Sequence, residues 1–139
     1  MNKVAFITGA SRGIGLAIAN ALNQAGFDVI GTARGKFDFN PVNKDAKMVP
    51  LQLDITAREE VKNLPLIVKE MDLMPSVIIN NAGITKDQLF LRMSDDDWDK
   101  VIDTNLNGVF NVTKTFIKHL VKSRSGRIIN ISSVSGLMG

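Results

Sequence analysis

The stretch Thr8-Gly9-Ala10-Ser11-Arg12-Gly13-Ile14-Gly15 constrains the fold more than any other. An apolar run, Val4-Ala5-Phe6-Ile7, precedes it. After it, Ile14, Ala17, Ile18, Ala21, Leu22 and Ala25 recur at spacings of three and four, and Gly26 stands where a helix commonly ends. The segment reads as strand, glycine turn and helix. Glycines let a backbone bend tightly and approach a ligand closely. A helix N-terminus offers unpaired N–H groups and a partial positive charge to an anion. The spacing is Gly-x-x-x-Gly-x-Gly, not the Gly-x-Gly-x-x-Gly of the usual dinucleotide fingerprint. The strand before, the helix after and Arg12 inside the loop favour a phosphate site. A plain tight turn is the alternative.

The chain has 139 residues, the size of one domain spanning residues 1–139 or part of a larger one. Its 45% hydrophobic and 22% charged content suits a soluble globular fold with a core. The absence of cysteine excludes disulfides and thiolate metal sites, and a single histidine excludes a His-based metal cluster. No metal site is expected. Gly9 ends the first apolar run too early for a signal peptide, and no apolar stretch approaches a membrane span, so the expected location is cytoplasmic. A net charge of +3 without basic clusters or aromatic platforms argues against nucleic-acid binding.

A second strand is expected at residues 27–32, ending at Ala33-Arg34. In a dinucleotide fold an acid near this point binds the ribose 2′-hydroxyl of NAD, whereas an arginine accommodates the 2′-phosphate of NADP. Ala33 and Arg34 bring no acid, and Arg12 can add a second positive charge, so the pattern favours NADP(H). A solvated Arg34 is the alternative. Residues 35–47 lack periodicity and read as a loop where a helix is usual. A third strand at 48–53 runs into Asp54-Ile55-Thr56. Asp54 either faces the adenine end of a cofactor or belongs to a helix start, since Thr56 and Glu59 have capping-box spacing. Both can hold together. Val61, Leu64, Ile67, Val68 and Met71 give the next helix its apolar face, and Pro65 is expected to bend or shorten it.

A fourth strand at 76–79 ends in Asn80-Asn81-Ala82-Gly83, either a simple turn or part of the ligand-binding edge of a parallel sheet. Ser94 is a good N-cap for a long helix, and Asp95, Asp96 and Asp97 suit the positive end of its dipole. Its expected buried stripe is Trp98, Val101, Ile102, Val109, Phe110, Thr113, Phe116, Ile117 and Leu120. Asn105 falls within that stripe, as structural glue or as part of a site. Gly108, close by, implies close approach of another backbone, and His119 is expected at the surface. Ser125-Gly126 makes a turn into a fifth strand at 127–131, followed by Ser132-Ser133-Val134-Ser135-Gly136 at the same sheet edge.

Taken in order, five motifs resemble the short-chain dehydrogenase/reductase family: Thr8 to Gly15, Asp54-Ile55-Thr56, Asn80-Asn81-Ala82-Gly83, Asp103-Thr104-Asn105-Leu106, and Ile131-Ser132-Ser133. Asn81-Ala82-Gly83-Ile84-Thr85-Lys86-Asp87, with Leu91-Arg92-Met93, is similar to the 3-oxoacyl-acyl-carrier-protein reductases of fatty-acid synthesis; acetoacetyl-CoA reductases look similar here. The resemblance covers the whole chain but only about the first half of a typical member. It implies a doubly wound parallel α/β Rossmann sheet of order 3-2-1-4-5, without the family's C-terminal strands and helices.

The resemblance also implies roles. Gly9, Ala10, Ser11, Arg12, Ile14 and Gly15 belong to the turn that contacts the pyrophosphate and ribose of NADP(H), and Arg34 would meet the 2′-phosphate. Asp54 and Ile55 would lie along the adenine, with Asn81, Ala82 and Gly83 near the nicotinamide-side ribose. Ser133 matches the serine that holds the substrate carbonyl, and Asn105 the asparagine that helps organise a proton-relay water. Arg124 falls near a basic position used for carrier-protein docking in similar reductases. The implied partners are an acyl-carrier-protein or CoA thioester substrate and, in a full-length form, copies of the same chain in a homo-oligomer. The departure is equally plain: the family's general acid is a tyrosine followed four residues later by a lysine, and this chain has no tyrosine. It therefore reads as the front part of an NADPH-dependent reductase or, alternatively, as a non-catalytic NADP-binding remnant. In either case the fifth strand would be left as a sheet edge.

Overall fold

The computed structural model describes residues 1–84, 86–134 and 137; Thr85 of the fourth strand's following loop, and Ser135 and Gly136 after the fifth strand, lie outside the described residues. Five strands are described: β1 (Val4–Thr8), β2 (Asp28–Ala33), β3 (Met48–Gln52), β4 (Val77–Asn80) and β5 (Arg127–Asn130). All pairings are parallel and the order is β3-β2-β1-β4-β5, as expected. β1 sits in the centre and is buried throughout, which is why it is a continuous apolar run and not an alternating one.

Helix α1 (Gly13–Gln24) follows β1, and α2 (Arg58–Lys62) and α3 (Leu64–Glu70) follow β3. Asn63 separates α2 from α3 and Pro65 lies in the first turn of α3, so the proline breaks this segment into two short helices. After β4 come a 3₁₀ turn (Phe90–Arg92), α4 (Asp95–Ile102), a π turn (Asp103–Asn107) and α5 (Gly108–Ser123). The expected long helix is therefore interrupted by one wide turn, and Asn105 sits inside it. Ser94 caps α4 as anticipated: its Oγ accepts from Asp97 N at 3.0 Å.

The sheet has a core on each face. On one face Phe6, Ile30, Ile55, Leu64, Val68, Ile78, Val112 and Phe116 pack together, with the Phe6 and Phe116 rings 5.1 Å apart. On the other, Ile7, Ala10, Ala19, Val29, Phe39, Met48 and Ile79 form a second cluster beneath α1.

Four local expectations need correction. The buried face of α1 is Gly15, Ala19 and Asn23, with Leu16, Ile18 and Leu22 partly covered, whereas Ile14, Ala17, Ala21 and Ala25 face solvent. The rotation is set at the helix start: a Cβ on Gly15 would collide with Gly9 O, so only glycine can pack there. The Thr56–Glu59 capping box does not form. Ala57 is the N-cap of α2, and Thr56 donates through both N and Oγ1 to Asp54 Oδ1, at 2.9 and 2.7 Å. This local turn captures the hydroxyl that would otherwise cap the helix. Finally, the buried stripe of α4 and α5 is Gly108, Asn111, Val112, Phe116 and Leu120. Trp98 is 52% and Phe110 59% exposed. Gly108 does mark a close approach, but to the Ile55 side chain and not to a backbone; its Cβ would lie 2.7 Å from Ile55 Cγ1.

Candidate functional site

At the C-terminal edge of the sheet the loops after β1, β2, β3 and β4 surround an open cleft of about 490 Å³. Its position follows from the strand order. β1 is flanked by β2 and β4. The chain runs from β1 outward to β2 and β3, then crosses back from β3 to β4 on the other side of β1, and this reversal opens a crevice above β1. The lining includes Gly9, Ser11, Arg12 and Gly13 from the glycine loop, Arg34 after β2, Asp54 and Ile55 after β3, and Asn81, Ala82 and Gly83 after β4. Nine of the residues expected at a cofactor site are thus brought together: Gly9, Ser11, Arg12, Arg34, Asp54, Ile55, Asn81, Ala82 and Gly83.

The glycine loop is held at both ends. Ala10 N donates to Thr32 O at 2.9 Å, hanging the loop on β2. Asn81 Nδ2 donates to Gly9 O at 3.0 Å, tying it to the β4 turn. Gly9 has φ +65°, and its Cβ would stand 2.8 Å from Ala82 Cα, so both conformation and space require glycine there. Thr8 Oγ1 accepts from Asn81 N (3.1 Å) and Ala82 N (3.0 Å), which locks the two loops to each other. The α1 N-terminus opens into the cleft behind Arg12, its N-cap. A Cβ on Gly13 or on Gly35 would meet nothing within 4 Å, so both positions leave the lining open. Neither Arg12 nor Arg34 has a carboxylate ion-pair partner among the described residues. The cleft combines a helix N-terminus, two uncommitted guanidinium groups and a narrow apolar shelf at Ile55, a donor set suited to a phosphate-bearing dinucleotide.

Other expected site residues stand elsewhere. Ala10 is fully buried beneath the loop. Gly15 is buried against Gly9 and Asn81, and Ile14 is 65% exposed and outside the cleft lining. Asn105 lies behind Gly83: Ile84 N donates to its Oδ1 and its Nδ2 donates to Ile84 O, both at 2.9 Å. Its side chain ties the loop after β4 to the π turn before α5. Ser133 is exposed three residues beyond β5, at the same sheet edge but not in the cleft lining.

Sequence reasoning missed Thr8, Thr32 and Asn111. Thr8 and Thr32 close strands that read as apolar, yet each is 1% exposed and Thr32 lines the cleft. Asn111 Nδ2 donates to Ile55 O at 2.9 Å, fastening the loop after β3 to α5. Beyond the cleft, Gln88 Nε2 donates to Asp97 at 2.8 Å and Lys86 lies 4.0 Å from the same carboxyl. The Gln88 hydrogen bond foremost, helped by Lys86, holds the Asp97 carboxyl below its ordinary pKa. No group of three or more His, Cys, Asp or Glu that could hold a metal occurs among the described residues. No helix among them is long and apolar enough to cross a membrane.

The short chain dehydrogenase family profile matches residues 3–139. Three curated relatives are named 3-oxoacyl-acyl-carrier-protein reductase FabG: those of Pseudomonas aeruginosa (42% identical), Thermotoga maritima (41%) and Escherichia coli (40%). Each alignment takes in 99% of this chain and 57–58% of the relative. Among solved structures, a 4-hydroxyisoleucine dehydrogenase complexed with NADH superposes with a TM-score of 0.85 at 34% identity, over 99% of this chain and 59% of that one. A short-chain dehydrogenase from Streptomyces avermitilis gives 0.87 at 29% identity, over 99% and 52%. The chain thus spans a little over half the length of the relatives it matches.

Proposed function

The chain belongs to the short-chain dehydrogenase family, and from that premise we propose that its cleft binds NADP(H) and serves the reduction of a 3-oxoacyl thioester to the 3-hydroxyacyl form in the cytoplasm. The observation that carries the reading is the cleft itself: a glycine loop at a helix N-terminus, with Arg12 and Arg34 on its rim and no acidic partner for either among the described residues. In this reading the N–H groups at the start of α1 and Arg12 hold the pyrophosphate. Arg34 pairs with the 2′-phosphate, where an acid would repel it. Asp54 and Ile55 border the adenine, and Asn81, Ala82 and Gly83 border the nicotinamide-side ribose. The reduced nicotinamide supplies the hydride when bound.

Ser133 would hold the substrate carbonyl oxygen from the edge beyond β5. By the family resemblance, the proton that completes the reduction would come from a tyrosine, which has no match among these 139 residues. The names of the relatives favour an acyl-carrier-protein thioester, with a CoA thioester the closest alternative. The exposed apolar face of Leu106 and Phe110 on the α4–α5 rod suits association with further copies of the chain. The alternative reading is NADP(H) binding without turnover.

Titration calorimetry with NADPH and NADH tests the binding half, and NADPH oxidation with acetoacetyl thioesters, assayed on the protein expressed from its full gene, tests the chemistry. Tight NADPH binding with turnover supports the reductase. NADPH binding without turnover favours the second reading, and no binding of either nucleotide overturns both.

A further inference from the structure

The crossover from β2 to β3 is made by residues 34–47 with no helix. Parallel strands ordinarily need a helical crossover to cover their face, so this irregular strap has to be held by specific contacts. Three sets of contacts along it bear on the site. At its start, Gln52 Nε2 donates to Arg34 O at 2.9 Å. At its end, the fully buried Asn23 takes Val42 N and Asn43 N on its Oδ1, both at 3.3 Å, and donates to Lys47 O at 3.4 Å. In the middle, Phe39 turns inward to 9% exposure and is braced edge-on by Phe37, with ring centroids 5.1 Å apart and an interplanar angle of 84°.

The middle anchor reaches the candidate site. The Phe39 ring occupies the space above Gly31, where any Cβ would collide with it. The same Cβ would fall 2.7 Å from Ala10 Cβ, so ring, strand and glycine loop meet at one point. Ala10 N is in turn bonded to Thr32 O. Only four residues separate Arg34 from Phe39. On the near side of the strap Arg34 lines the cleft, while Lys36, Phe37 and Asp38 border a separate open hollow with Pro50 and Gln52.

We propose that Phe39 is a positioning residue for nucleotide specificity: seated on Gly31 against Ala10, it sets the strap that carries Arg34 at a fixed height relative to the glycine loop. The inference rests on the NADP(H) reading of the cleft. The pyrophosphate and the 2′-phosphate of one molecule lie at a set separation. A loop and an arginine that share a rigid reference point can grip both, whereas a loose strap leaves Arg34 free to miss the second. NADH makes no demand on Arg34 and is indifferent to the strap.

The test is calorimetry of wild type, Phe39→Ala and Phe39→Leu with NADPH and with NADH. Wild type is expected to prefer NADPH. Phe39→Ala should lower the NADPH:NADH affinity ratio by about tenfold, the scale of one charge-assisted hydrogen bond, through loss of NADPH affinity with NADH nearly unchanged. Phe39→Leu, which keeps the seat filled but not flat, should lower it by about threefold on the same scale. A purely structural role would weaken both nucleotides alike, so an unchanged ratio overturns the proposal. If Phe39→Ala does not fold, Phe39→Leu decides by the same criterion. A wild type without NADPH preference overturns the underlying NADP(H) reading instead, which is a separate result.

Discussion

Asn105 grips the main chain of Ile84 with both ends of its amide: Ile84 N donates to Oδ1 and Nδ2 donates to Ile84 O, each at 2.9 Å. The clamp spans from the π turn before α5 to the loop after β4, and a Cβ on Gly83 would lie 3.2 Å from its Oδ1. Asn105 therefore fixes the wall of the cleft that carries Gly83 and Ile84. Asn105→Ala removes both bonds and leaves the partly buried Ile84 groups unpaired, at a cost of about 1–3 kcal/mol. Asn105→Asp keeps the acceptor for Ile84 N but turns a second acceptor toward Ile84 O, and should fall in between. Hydrogen exchange is the direct check. In Asn105→Ala the Ile84 amide should exchange about tenfold faster or more while β1 amides stay protected. An unchanged Ile84 rate would show that the loop is held by something else.

A parallel prediction concerns Gly15 and Gly13, two glycines of one loop with different reasons to be there. A Cβ at Gly15 would collide with Gly9 O and crowd Asn81 Nδ2, so Gly15→Ala must push α1 away from the loop and strain the Asn81–Gly9 bond. Overpacking of this kind costs about 1–3 kcal/mol. Gly13 has φ +57° but open space around it, so Gly13→Ala carries only the left-handed backbone penalty of about 1–2 kcal/mol. Urea denaturation should place Gly15→Ala below Gly13→Ala, and only Gly15→Ala should disturb the amides of Asn81 and Ala82. The reverse order would contradict the packing described for α1.

The same glycine shows what was and was not legible in the sequence. The strand–turn–helix signal at Thr8–Gly15, the Asn81 turn and the acids after Ser94 are local, and each appears where it was expected. The strand order was implied by the family resemblance that these motifs carry, and the sheet has it. The rotation of α1 was not legible, because its alanines and Ile14 fit a helical stripe as well as the true one does. A glycine packed on a carbonyl and a buried Asn23 bonded to a distant strap settle it, and neither scores as hydrophobic. The α4–α5 rod failed for a related reason. It is apolar on two sides, and periodicity alone does not say which side faces its own sheet. Thr8 and Thr32 were invisible as site residues because their roles depend on pairings with loops far away in the chain.

The second apolar side leads to a prediction about association. Phe110 is 59% and Leu106 61% exposed, one turn apart on the same rod. Neither packs in the core clusters. If this face joins copies of the chain, Phe110→Glu should shift the protein to a smaller assembly in light scattering coupled to size exclusion. Stability of the isolated chain should change by no more than about 0.5 kcal/mol, as for a surface substitution. Phe116→Ala, six residues on, is the contrasting case. That ring is fully buried against Phe6, and its removal should cost about 3–5 kcal/mol. An assembly unmoved by Phe110→Glu would remove this face as the contact.

Arg34 offers the sharpest separation between a cofactor residue and a solvated one. It follows β2 on the cleft rim with its backbone carbonyl held by Gln52, and its guanidinium has no acidic partner among the described residues. In Arg34→Asp the charge reverses at the point where the two nicotinamide nucleotides differ. NADPH loses an ion pair and meets a carboxylate, and its affinity should fall about 100-fold, the effect of roughly 3 kcal/mol. NADH carries a 2′-hydroxyl that a carboxylate can accept from, so its affinity should hold or rise slightly. The effect on NADPH should shrink as salt is raised, because an exposed phosphate–guanidinium pair is screened. Calorimetry with both nucleotides at two ionic strengths checks all three statements. Equal losses for NADPH and NADH would mean that Arg34 shapes the rim without reading the 2′-position, and any preference for NADP(H) would then rest on Arg12 alone.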